Sequence, residues 1–199
     1  RDHCVTGVQT CALPICIMAT NILQTPVKQA TSQSSVTSLQ EAAETIQFDA
    51  LQHAHTRCTQ SIGAADLAEL LQRHDFINHL KFGLAERIAN TLAAHDENIQ
   101  AIYYFDPNLS SDAETEAYAA LDASVNLLVQ VKSKSAALES FIMALDEALT
   151  QQVRKLPSTL FVSLASILNA ILITEEDVDQ RRGYAVLLSS MYLKPRQVW

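Results

Sequence analysis

The chain has 199 residues, 48% of them apolar, and a formal charge of −8 from 14 Lys plus Arg against 22 Asp plus Glu. That length suits one domain, or at most two small ones, with a real core, and that apolar fraction excludes wholesale disorder. With only four glycines, at positions 7, 63, 83 and 183, no dinucleotide or P-loop phosphate cradle can be assembled, and the acidic surplus speaks against nucleic-acid or anionic-membrane partners.

At the start of the chain, Val5-Thr6-Gly7-Val8-Gln9-Thr10-Cys11-Ala12-Leu13-Pro14-Ile15 resembles the translation of a sequencing adapter. Residues 1–17 are therefore expected to be an artefactual leader, with Met18 as the natural start. A secretory signal would need a basic n-region and an unbroken apolar stretch, whereas Pro14 interrupts this one. Cys4, Cys11 and Cys16 fall within the leader and leave Cys58 alone. A lone thiol forms no internal disulfide, so a cytoplasmic setting is expected. Residues 18–37, rich in Thr, Ser, Gln and Asn, read as a flexible lead-in. The remainder, 38–199, reads as a single α/β domain with an N-terminal helix at 38–62 and a core at 64–192.

Ser38 and Glu41 have capping-box spacing and predict a helix start. Leu39, Ala43, Ile46, Ala50, Ala54 and Cys58 then recur at helical intervals, with Gly63 beyond. A second helical stretch begins near Ala64, with Leu67, Leu70 and Leu71 as its apolar residues. Asp75 is a candidate cap for a longer helix striped by Ile77, Leu80, Leu84, Ile88 and Leu92. Gly83 inside that helix costs about 1 kcal/mol relative to Ala, which predicts close packing there.

The period then changes. Ile99–Phe105 is short, β-branched and aromatic and stops at Asp106-Pro107-Asn108, which reads as a strand and a turn, with Tyr103, Tyr104 and Phe105 packing on its faces. Residues 108–121 hold Asp112, Glu114 and Glu116 without a cation and read as an acidic loop. Ser124–Val131 is a second strand. A helix follows, capped by Ser135, striped by Leu138, Phe141, Ile142, Leu145, Leu149, Val153 and Leu156, and stopped by Pro157.

The 19 residues from Leu156 to Thr174 carry no charge, but six are Ser, Thr or Asn. They read as a helical turn and a buried strand, Ile167–Ile173, rather than a membrane span. Thr174-Glu175-Glu176-Asp177 opens a last helix expected to reach about Tyr192. The sum is an α/β (α+β) fold, a small mixed sheet of three or four strands flanked by helices, with a helical N-terminal part and a parallel βαβ unit around the Ser135 helix. Nearly continuous apolar strands predict a sheet buried on both faces.

This order of elements, with the strand around Asp122-Ala123-Ser124-Val125-Asn126-Leu127-Leu128-Val129, resembles the nucleotidyltransferase fold over about residues 65–192. The resemblance implies two acids spaced by one residue on that strand, where period two puts both carboxylates on one face to hold divalent metal for phosphoryl transfer. It also implies a Gly-Ser pair after the first strand and a third carboxylate on a later strand. Here Asp106-Pro107 stands where Gly-Ser is expected, Ser124 and Asn126 stand where the paired acids are expected, and Asn169 matches the third. Neutral side chains offer oxygens without charge, so the resemblance implies a degenerate, non-catalytic relative without a cofactor. Its candidate relic pocket is Asp106, Asp122, Ser124, Asn126 and Asn169, and its partner a nucleotide or a protein.

His53-x-His55-x-x-Cys58 has metal-ligating residue types. On a helix, positions 53 and 55 lie about 200° apart, so three ligands do not converge and Cys58 reads as core. An enzyme of another class using the histidines and Cys58, and a purely structural interaction module, are the competing readings. No serine sits in a G-x-S-x-G setting. Arg181-Arg182 and Lys194-Pro195-Arg196 read as solvated helix ends.

Overall fold

Helix α1 spans Ala30–Thr59 and, between Ala43 and Cys58, buries a face of mostly small apolar residues against the rest of the molecule. The computed structural model describes residues 30–59, 66–106, 124–158, 161, 164–190 and 195–199. The helix starts before Ser38, so residues 30–37 of the predicted lead-in belong to it and the Ser38–Glu41 pair is not its terminus. No Gly or Pro occurs in that stretch. A helix nucleated downstream therefore extends backward at the modest cost of Ser and Thr.

Ala43, Ile46, Ala50, Ala54 and Cys58 of α1 are buried, as their spacing predicts. Helix α2, Leu67–Leu70, is a single turn that buries Leu70. Helix α3, His74–His95, buries the expected stripe of Ile77, Leu80, Leu84, Ile88 and Leu92. Gly83 marks where α3 crosses α1, since a Cβ built there would lie 3.2 Å from Ala50 Cα. The glycine is required by close approach of two backbones, not by a turn.

Strands β1 (Ile99–Phe105), β2 (Val125–Val131) and β3 (Leu168–Thr174) follow, with helix α4, Ala136–Val153, between the last two. Ser135 caps α4 by accepting from Leu138 N at 3.4 Å. Strand β2 pairs antiparallel with β1 and parallel with β3, which is the predicted βαβ unit. Asp146 of α4 fastens the start of β3. Its Oδ1 accepts from Ile167 N at 3.0 Å and from Leu168 N at 2.8 Å.

The last helix departs from expectation. Helix α5 is only Glu175–Asp179, capped by the Thr174–Asp177 box. Arg181 (φ 50°) and Gly183 (φ 51°) then adopt left-handed backbone, which a helix cannot continue through. A 3₁₀ run, Gly183–Ser189, follows, and β4, Arg196–Gln197, adds antiparallel to β1. The sheet order is β3-β2-β1-β4. Trp199 docks through its main chain, its carbonyl accepting from Ile102 N at 3.0 Å.

Period two divides the sheet into two faces. Ile102 and Tyr104 of β1, with Val125, Leu127, Val129 and Val131 of β2, pack against the helices. Phe105, Leu128 and Ile173 lie on the opposite face with Ala185, flanked by partly buried Val178, Leu187 and Leu188. The second face is thus covered by α5 and the 3₁₀ run, as the apolar strands predict. The architecture is a small mixed four-stranded sheet flanked by helices. Among the described residues no helix is long and apolar enough to cross a membrane. The predicted acidic loop and the Tyr192 helix end lie outside the described residues.

Candidate functional site

The β2–β3 register sets Asn126 directly beside Asn169. Asn169 Nδ2 donates to Asn126 Oδ1 at 2.9 Å. Both lie on the sheet face that carries Leu128, away from α1, α3 and α4. Asn126 is buried, whereas Asn169 is exposed. Phe105 of β1 pairs with Asn126 on its other side. Ser124 immediately precedes β2, and Asp122 lies outside the described residues. Two of the predicted residues therefore meet, in a cross-strand amide pair. Two carboxylates so close would repel unless a cation lay between them, whereas two amides bond to each other directly.

Asp106 does not join them. It follows Phe105 but turns to the helical face, where Lys81 Nζ donates to its Oδ2 at 2.6 Å. The Tyr104 hydroxyl donates to the same oxygen at 3.2 Å. The side chains of Lys81 and Asp106 are 4% and 3% exposed, so each charge is desolvated and must be answered by the other. Asp106 is committed to α3 and belongs to the core, not to a pocket with the asparagines. Sequence reasoning passed over Lys81, although the signal was present. It lies four residues after Ile77 and three before Leu84, squarely on the apolar stripe of α3. Phe82, beside it on α3, meets Tyr104 edge-on with centroids 5.9 Å apart and carries the Arg196 guanidinium 4.3 Å above its ring.

The His53, His55 and Cys58 candidates diverge. The His53 ring leans toward Phe82 at 6.4 Å, His55 is exposed and Cys58 is buried. Among the described residues no group of three or more His, Cys, Asp or Glu is placed to hold a metal ion. Burial pushes the Cys58 thiol pKa up, and the Asp75 carboxylate adds to this against the smaller opposing effect of Arg73. A thiol so disfavoured as thiolate is a poor nucleophile. Asp75 is not the N-cap of α3, which is Arg73. It sits in the first turn, where the Arg73 guanidinium and then Phe76 N–H hold its carboxyl below the usual carboxylate range.

Comparison with family models, curated proteins and solved structures gives no match. The nucleotidyltransferase resemblance thus rests on the order of elements and the residues of β2 and β3. The divalent ion implied by that resemblance does not fit the donors that the described residues offer on this face. Ser124, Asn126 and Asn169 supply no charge, and Asn126 Oδ1 already accepts from Asn169.

Proposed function

We propose that this chain is a nucleotidyltransferase-like binding domain that carries out no nucleotidyl transfer and takes a nucleotide on the sheet face around Asn126 and Asn169. The observation that carries this reading is the 2.9 Å amide pair in cross-strand register, at the positions where the resembled family has metal-holding acids. The exposed Asn169 amide offers a donor and an acceptor together, the pattern that pairs with a nucleobase edge. The charge −8 suits a single small ligand better than a polyanion.

The test is thermal unfolding with ATP, GTP and AMP, with and without Mg²⁺, beside an assay of nucleotidyl transfer. Stabilisation should appear without Mg²⁺, reaching about 2.7 kcal/mol at a hundredfold excess over Kd. It should be lost in Asn169→Ala. Robust Mg²⁺-dependent turnover would overturn the non-catalytic reading. Absence of stabilisation by every nucleotide would overturn the nucleotide and leave a protein partner as the ligand of this face.

A further inference from the structure

Helices α1 and α3 flank an open cleft of about 410 Å³ lined by Asp49, Gln52, His53, Thr56, Arg57 and Arg87. It lies on the helical layer, which covers the sheet face opposite Asn126 and Asn169. The five α1 residues follow helical spacing and share one face, and Arg87 reaches the cleft from α3. A second hollow of about 320 Å³ meets it at Asp49 and Arg87 and is lined further by Ala42 and Ile46, with Thr45, Asn90 and Thr91 at its margin. The pair forms one groove with a cationic end and a more apolar end, and its volume falls within the roughly 300–1,000 Å³ of small-molecule sites.

The charges do not cancel within the groove. Arg57 makes no side-chain hydrogen bond or ion pair among the described residues. Arg87 Nε stands 3.6 Å from Asp49 Oδ2, too long for a good hydrogen bond, so its guanidinium keeps donors for another acceptor. Two guanidiniums and one carboxylate line the cleft, a local positive surplus in a chain of charge −8. The Thr56 hydroxyl donates to Gln52 O at 2.8 Å, which leaves it an acceptor. The remaining donors toward an anion are Gln52 and His53.

We propose that this groove binds a small organic phosphate, its phosphate between Arg57 and Arg87 and its apolar portion along Ala42 and Ile46. Two guanidinium forks from separate helices match phosphate oxygens in the bidentate manner that lysine cannot reproduce. Asp49 opposes the anion and holds Arg87, so it sets the affinity low. Removing its charge should tighten binding.

The test uses the full chain at constant ionic strength, with hexyl phosphate, inorganic phosphate and hexanol as probes, read by thermal unfolding and calorimetry. Hexyl phosphate should raise Tm by about 2–4 °C near saturation, inorganic phosphate less, and hexanol not at all. Arg57→Gln with Arg87→Gln should abolish the shift without loss of fold, since both side chains are on the surface, as far-UV circular dichroism will check. Asp49→Asn should tighten hexyl phosphate about threefold, the worth of one partly exposed ion pair. Retention of the shift in the double Arg variant, an equal shift with chloride, or weaker binding to Asp49→Asn would overturn the proposal. The Asn169→Ala variant should bind hexyl phosphate as the parent does, so this site and the sheet-face site fail separately.

Discussion

The two faces of the sheet handle polarity in opposite ways. On the helical face, Lys81, Tyr104 and Asp106 form a charged cluster whose ion pair is sealed from water. On the other face, Asn126 and Asn169 form a neutral pair that reaches the surface. A buried charge must be matched at once by an opposite charge, so the acid nearest the end of β1 is consumed by the fold. A neutral amide keeps residual donors and acceptors at little cost, so it can sit at a surface and serve a ligand. The acid that follows β1 thus serves the core, and the sheet face around Asn126 and Asn169 carries neutral amides.

The largest way to break this contrast is to remove one charge from the sealed face. Lys81→Met should cost about 3–5 kcal/mol in urea unfolding, because Asp106 is left buried without its cation. Lys81→Met with Asp106→Leu should recover much of that loss. A single variant as stable as the parent would show that the pair is not desolvated as described. Next is Asp146→Ala, which strips the acceptor from Leu168 N at the head of β3 and leaves Ile167 N with Thr150 Oγ1 alone, at 3.1 Å. It should cost about 1.5–3 kcal/mol and loosen the register that holds Asn169 against Asn126, seen as faster amide exchange along β3.

On the neutral face, Asn126→Asp with Asn169→Asp puts two carboxylates at the amide spacing. Stability at pH 7 should fall by about 1–2 kcal/mol, the order of a one-unit shift in a carboxylate's pKa. Millimolar Mg²⁺ should restore part of it in the double variant and none in the parent. Mg²⁺ stabilising both equally would erase the distinction drawn between amides and acids. Gly83→Ala tests the helical layer itself. Its Cβ would meet backbone and Cβ atoms of Ala50 at 3.2–3.4 Å. The gain in helix propensity of about 1 kcal/mol is then outweighed by an overpacking cost of about 1–3 kcal/mol.

Local pattern made much of this architecture legible. Ile99–Phe105 was bounded by a change of period and by Asp106-Pro107, and β1 has those limits. The α3 and α4 stripes followed from spacing, and Gly83 correctly announced a close crossing. What escaped was decided by tertiary contact or by single backbone angles. Thr174–Asp177 promised a helix, but the left-handed turn at Arg181 and Gly183 ended it early. Strand β4 has two residues and no periodicity, so only its pairing with β1 defines it. At the site, only the resemblance singled out Asn126 and Asn169 together, and it is the parallel register of β2 and β3 that sets them side by side. The fate of Asp106 was not, because its partner Lys81 lies 25 residues away on another element.

The smallest effect concerns two exposed helix starts, one in each layer. Asp75 at the head of α3 is held below the usual carboxylate range first by Arg73. Asp177 in the first turn of α5 is held there first by the Thr174 N–H, then by Lys134 and the Thr174 hydroxyl. In both, the folded state lets the proton go more readily than the unfolded chain, whose carboxyl titrates near pH 3.9. The stabilisation is therefore complete above about pH 5 and lost as pH falls through the lower folded value. Urea midpoints measured from about pH 6 down to 2.5 should decline most steeply below pH 4. Asp75→Asn and Asp177→Asn should each flatten that decline while lowering the midpoint at pH 6. Equal slopes in parent and variants would mean that neither carboxyl is shifted on folding. A larger flattening from Asp75→Asn than from Asp177→Asn would place more of the acid sensitivity in the helical layer than in the cover of the neutral face.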